Sequence, residues 1–138
     1  MKVTLPPKYK PSVKEPFMNP VMLEYFRHKL INWRNELLHE SNETLQNLQE
    51  GGMVAPDIAD RASAETDRSL ELRTRDRARK LISKIDAALV RIEDGTFGLC
   101  EETNEPIAIS RLEARPIATF SLEAQERHER MEKTHRDD

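Results

Sequence analysis

The stretch Leu70-Glu71-Leu72-Arg73-Thr74-Arg75-Asp76-Arg77-Ala78-Arg79-Lys80-Leu81-Ile82-Ser83-Lys84-Ile85-Asp86-Ala87-Ala88-Leu89-Val90-Arg91-Ile92 decides the fold. Its row Ala78, Leu81, Ile85, Ala88 and Ile92, continued backwards by Thr74 and Leu70, advances in steps of three and four. That regularity favours a coiled-coil seam over the broader apolar face of a globular helix. Upstream, Leu23, Phe26, Leu30, Trp33 and Leu37, then more weakly Leu45 and Leu48, form a matching row. Glu50-Gly51-Gly52-Met53-Val54-Ala55-Pro56 lies between them, too short for a domain, with two glycines and a proline suited to a reversal. The two helices are therefore expected to lie antiparallel. Arms of about 30 to 35 residues extend roughly 45–55 Å at 1.5 Å per residue. Beyond the reversal, Asp57-Ile58-Ala59-Asp60-Arg61-Ala62 sets two carboxylates at the end of the hairpin.

Composition agrees with a small elongated protein. Of 138 residues, 34% are charged and 37% hydrophobic, with four glycines, so a large core is not available and most of the surface is solvated helix. Lysine and arginine total 22 against 25 acids, a balance that argues against wrapping bare DNA, which needs many uncompensated cations. A protein partner is the better expectation. No apolar run approaches the roughly 20 residues of a membrane span, and the start lacks a signal-peptide core. A single cysteine forms no intramolecular disulfide, so the chain is read as soluble and cytoplasmic.

The fold class expected is all-α dominated, in three parts. Residues 1–18, with four lysines and four prolines, make an extended, mobile arm. Residues 19–95 form the hairpin, opened by Asn19 as N-cap and Pro20 as first helical residue, tipped at 51–62 and stopped by Gly95. Residues 96–138 form a small module. In it Phe97-Gly98-Leu99-Cys100 and Ile107-Ala108-Ile109 flank a polar turn as a short β-hairpin, and Ser110-Arg111-Leu112-Glu113 reads as a capping box. Pro116 ends that helix, and Ser121 opens a last helix to about Lys133.

Two features have both a plain and a functional reading. Asp57 and Asp60 could simply cap a helix, where acids in a first turn suit the dipole, or they could act on a partner. Arg73, Arg77, Lys80 and Lys84 fall in one stripe beside the seam. They could be a solvated face paired with Glu36, Glu40 or Glu43, or a docking surface for an acidic partner or a phosphate. No Gly-rich phosphate loop, H-E-x-x-H run or usable Cys–His spacing is present, so an enzyme is not expected.

The runs Asp57-Ile58-Ala59-Asp60-Arg61-Ala62, Ser69 to Ile85, Phe97-Gly98-Leu99-Cys100 and Ser110-Arg111-Leu112-Glu113-Ala114-Arg115-Pro116-Ile117-Ala118, in that order, resemble the DksA/TraR family of zinc-finger transcription regulators. The likeness covers about residues 20–130. It implies a monomeric regulator that binds bacterial RNA polymerase, puts its coiled coil into the secondary channel and acts with the alarmone (p)ppGpp in the stringent response. It also implies no sequence-specific contact with DNA and no membrane. By the resemblance, Asp57, Asp60 and Ala62 work near the polymerase active centre, and Arg73 and Arg77 dock on polymerase. Leu81, Lys84 and Arg115 surround the alarmone, with Arg111 close by. One further basic position of that site is Gln125 here, which should weaken phosphate binding. A hairpin adaptor or chaperone for another protein is the alternative, but it would not require the Asp60-Arg61-Ala62 or Leu112-Glu113-Ala114-Arg115-Pro116 runs.

The metal site departs from the family. Its four ligand positions are Cys100, Thr103, Ser121 and Ala124, and zinc wants four thiolates or imidazoles. Zinc is therefore not expected, His128 and His135 are read as surface residues, and the module holds by packing of Phe97, Leu99, Ile107, Ile109, Leu112 and Phe120. Cys100 is read as inert, with Glu101 and Glu102 disfavouring its thiolate.

Overall fold

A computed structural model of the chain describes the backbone of residues 3–51 and 58–137, and the side chains of all of these except 44, 45, 47–51, 58–62 and 135–137. Among the described residues four helices follow in order: α1 (Pro20–Gly51), α2 (Ile58–Asp94), α3 (Ile109–Ala114) and α4 (Leu122–Asp137). The chain divides into two compact units, one of residues 31–86 and one of residues 1–30 with 87–138.

The first of these is a helix pair. Arg34 meets Asp86, and further along α1 Leu37 and Ser41 share a gap with Thr74, Ala78 and Leu81, so rising numbers on α1 face falling numbers on α2 and the pair is antiparallel. Leu37, Ala78 and Ile85 are buried, as the seam predicts. Arg34 ties the arms with an ion pair to Asp86 at 2.7 Å. Leu45 and Leu48 lie outside the described side chains. Where the seam turns to small and polar residues, a gap of about 210 Å³ opens between Leu37, Ser41, Thr74 and Ala78, and the buried Ser41 hydroxyl has no partner among the described residues.

The second unit is built from both ends of the chain around one apolar cluster. Met22, Phe26 and Leu30, spaced four apart on α1, are wholly buried, together with Ala88, Ile107, Leu112 and Ala124. The Phe26 and Phe97 rings meet at 5.4 Å. Each large side chain so buried is worth roughly 1.5–3 kcal/mol of transfer free energy, and among the described residues no polar or charged residue is buried to offset it. Leu99, Ile109 and Phe120 are only half-buried, and Cys100, Ile117 and Ala118 take core places that the expected apolar set omitted.

Local signals set most boundaries. The Asn19 Oδ1 accepts from the Val21 and Met22 amides at 3.1 Å, so α1 starts where the Asn-Pro pair predicts. Gly95, at φ +80, lets the Thr96 and Phe97 amides return to the Arg91 carbonyl and ends α2. The Ser121 hydroxyl accepts from the Ala124 amide at 3.2 Å and opens α4, which runs on to Asp137. Ser110 does not cap α3. The helix starts at Ile109, Ala108 holds the cap position without a side-chain bond, and Glu113 turns to α1 instead. The expected β-hairpin contracts to a single antiparallel bridge between Leu99 and Pro106, flanked by Cys100 N–H to Glu105 O and Ile107 N–H to Gly98 O. Pro106 has no N–H to extend the ladder. Gly98 is at φ +83, and a Cβ there would stand 3.0 Å from both Phe17 and Met18, so a larger residue would be strained in its backbone and would push those two side chains aside.

Residues 3–18, read from the sequence as an arm, carry their own turns. The Tyr9 amide donates to Pro6 O, the Tyr9 hydroxyl donates to Glu15 at 2.7 Å, and the Tyr9 ring meets Tyr25 edge-on at 5.8 Å.

Candidate functional site

Four groups of residues are candidates, and the structure is most explicit about the basic face of α2. Arg73, Arg77, Lys80 and Lys84 are all exposed. At 100° per residue they fall within about 60° of helix circumference. None of them forms an ion pair with another described residue, and Glu43 is turned to His39 on its own helix at 3.1 Å. The cross-hairpin neutralisation that would make this an ordinary solvated face is therefore not formed. Four uncompensated cations in a narrow row attract an acidic surface or a phosphate, since each keeps its full hydrogen-bonding capacity. Arg77 and Leu81 also line the gap in the helix pair.

In the other unit, α3 brings two expected residues close together. Arg115 ends α3, is exposed and has no ion-pair partner among the described residues, while its amide donates to Arg111 O at 2.7 Å. Arg111 is partly committed, since its Nε donates to the Phe120 carbonyl at 2.9 Å. Gln125 lies half-buried on α4 and donates to Glu129 at 3.2 Å. The Glu129 carboxylate thus stands beside the position at which the resemblance implies a cation. The residue that sequence reasoning missed is Glu113. Its Oε1 accepts from Lys29 at 2.7 Å and from the Tyr25 hydroxyl. Burial alone would raise its pKa, but the bonds from Lys29 and Tyr25 outweigh burial and hold it below the usual carboxylate range. Burial and that same bond push the Tyr25 phenol up to about 12.

At the tip, Asp57 lies outside the described residues. Asp60 and Ala62 are the third and fifth residues of α2, with side chains outside the description. Asp60 thus lies in the first turn of α2, a position where the helix dipole favours an acid.

The degenerate metal position is assembled but does not suit zinc. Cys100 is 1% exposed, and its sulfur accepts hydrogen bonds from the Thr103 hydroxyl and from the amides of Ser121, Thr103 and Glu102. The Ser121 hydroxyl is spent on capping α4, and Ala124, wholly buried, offers a methyl group. One thiol, two hydroxyls and a methyl cannot supply four zinc ligands. Among the described residues no three His, Cys, Asp or Glu side chains gather as a metal set. The expectation that Glu101 and Glu102 hold the thiol protonated is overturned. Burial raises its pKa, but the four hydrogen bonds more than offset that and bring it down to about 6. The Glu102 carboxylate points to α4, 3.2 Å from His128 and 3.7 Å from Arg127. His128, half exposed and stacked 4.7 Å from Phe120, is a surface residue as expected, and the His135 side chain lies outside the description. Among the described residues no helix is long and apolar enough to cross a membrane.

Comparison with known proteins accounts for this layout. Residues 22–92 match the family of the DnaK suppressor protein DksA, N-terminal domain, and residues 95–130 match the prokaryotic dksA/traR C4-type zinc finger. The RNA polymerase-binding transcription factor DksA of Caulobacter vibrioides (strain NA1000 / CB15N) is 65% identical over 130 residues, covering 94% of this chain and 92% of that protein. That of Escherichia coli (strain K12) is 44% identical over 115 residues, covering 83% and 76%. The solved structure of transcription factor DksA2 from Pseudomonas aeruginosa superposes with a TM-score of 0.80 at 38% identity, over 87% of this chain and 95% of that one. The helical hairpin, the module with its reduced metal position and these matches agree: the chain belongs to the DksA/TraR family.

Proposed function

We propose that the protein regulates transcription initiation by binding bacterial RNA polymerase directly, with its helical hairpin, residues 19–95, entering the secondary channel and the tip at 51–62 acting near the active centre. It acts there with (p)ppGpp. The observation that carries the reading is the row Arg73, Arg77, Lys80 and Lys84, exposed and without ion pairs among the described residues. Names of relatives that bind polymerase support the same partner. Arg73 and Arg77 dock, while Leu81, Lys84 and Arg115, with Arg111 and Gln125 nearby, receive the alarmone. The tip carboxylates Asp57 and Asp60, with Ala62, change the lifetime of promoter complexes by charge and position, without bond chemistry of their own. Residues 96–138 keep their fold by packing and hydrogen bonding rather than through zinc. The deciding experiment is capture of core RNA polymerase on the immobilised full chain. Retention that competes with a known secondary-channel ligand is expected, and retention of chaperone clients in place of polymerase would favour the adaptor reading.

A further inference from the structure

A helix of six residues has no stability of its own, because nucleation costs more than so few hydrogen bonds return. In α3 the N-terminus also lacks a side-chain cap. Its orientation must come from what its side chains hold. Three consecutive residues do this: Arg111 donates to Phe120 O at 2.9 Å, Leu112 is wholly buried, and Glu113 accepts from Lys29 and Tyr25. Successive residues point about 100° apart, so an apolar anchor at 112 and a polar anchor at 113 fix both the depth and the rotation of the helix. The polar anchor is itself backed. The Tyr25 ring packs edge-on against Phe26 at 5.3 Å and against Tyr9 at 5.8 Å, and Tyr9 is held by Glu15, which also accepts from the Ser12 amide at 2.9 Å. Lys29 lies over the Tyr25 ring at 5.8 Å. Arg115 alone of the charged residues on this short helix and its end is left exposed with no side-chain partner among the described residues.

We infer that Glu113, held by Tyr25 and Lys29 and backed by the Tyr9–Glu15 clasp of the N-terminal segment, is the positioning residue that aims Arg115 at an anionic ligand. The N-terminal segment thereby tunes ligand response without touching the ligand. The inference rests on the proposed reading that Arg115 receives the alarmone.

The test compares full-length variants for polymerase affinity without alarmone and for the (p)ppGpp concentration giving half-maximal effect on promoter-complex lifetime. Arg115→Ala tests the underlying reading, and loss of the alarmone effect is expected. Glu113→Ala keeps a good helix former and removes the anchor. It should raise the half-maximal concentration about tenfold, which is within the range for losing hydrogen bonds to a charged group, with polymerase affinity unchanged. Tyr25→Phe, which keeps the ring, should raise it about threefold. The charge-swapped pair Lys29→Glu with Glu113→Lys should recover most of what Glu113→Lys alone loses, which ties the effect to this ion pair, while unchanged polymerase affinity without alarmone separates positioning from a folding defect. A normal alarmone response in Glu113→Ala, beside a lost response in Arg115→Ala, overturns the positioning role and leaves the site standing. A normal response in Arg115→Ala overturns both. Parallel loss of polymerase affinity in Glu113→Ala and no rescue by the swap would reduce Glu113 to a folding residue and overturn the inference.

Discussion

Cys100 shows how far a side chain's chemistry can sit from its neighbours in sequence. With its pKa brought from 9.0 to about 6, the folded state holds fewer protons on this sulfur than the unfolded state between those values. The stabilisation is complete above the unfolded pKa and disappears as pH falls through the folded one. Titration by thiolate ultraviolet absorbance should give an apparent pKa near 6, and Thr103→Ala should raise it, because it removes a hydroxyl donor to the sulfur. An apparent value near that of free cysteine in the wild type would refute the arrangement. None of this was legible from Glu101 and Glu102, since three of the four donors are amides of the turn and of Ser121, which a pattern of side chains does not reveal, and the fourth is the Thr103 hydroxyl three residues on. Asp60 is the opposite case, placed by sequence alone in the first turn of α2. Asp60→Asn removes a charge but keeps a residue tolerated at helix starts, so stability should fall by well under ~1 kcal/mol. Polymerase affinity should stay near native while the effect on promoter-complex lifetime is lost. An unchanged effect would make Asp60 a cap and nothing more.

At the scale of elements, α1 and α2 were readable because a seam repeats and their ends carry residues with local jobs: Asn19 at one start, Gly95 at one stop. The short elements were harder. Ser110 lost the cap of α3 because Leu112 must reach the core and Glu113 must reach Lys29, and these contacts set the helix two residues earlier than its own sequence would. The hairpin around 100–106 was limited to one bridge by Pro106. Long-range partners such as Tyr25 and Glu113, 88 residues apart, leave no periodic trace. On α2 the row of free cations has a direct test. Arg77 has Arg73 and Leu81 four residues away on either side and forms no ion pair among the described residues. Arg77→Ala should weaken polymerase binding, whereas Lys84→Ala should chiefly blunt the alarmone response. Equal loss of basal binding in both variants would contradict that division along the helix.

For the whole molecule, the core of the unit formed by both chain ends is apolar throughout among the described residues, and the former metal position is closed by Ala124 and by hydrogen bonds to Cys100. Purified protein should therefore keep its helical content and thermal midpoint when treated with a strong chelator, and elemental analysis should find well under one zinc per chain. One tightly held zinc per chain together with unfolding by chelator would overturn this. That same unit draws Met22, Phe26 and Leu30 from the beginning of the chain and Phe97, Leu112 and Ala124 from near its end. On a ribosome adding about 5 to 20 residues per second, the first three emerge many seconds before their partners exist. During that interval the nascent chain carries an apolar stripe with nothing yet made to cover it, the kind of transiently exposed surface that favours aggregation until the last helices are synthesised.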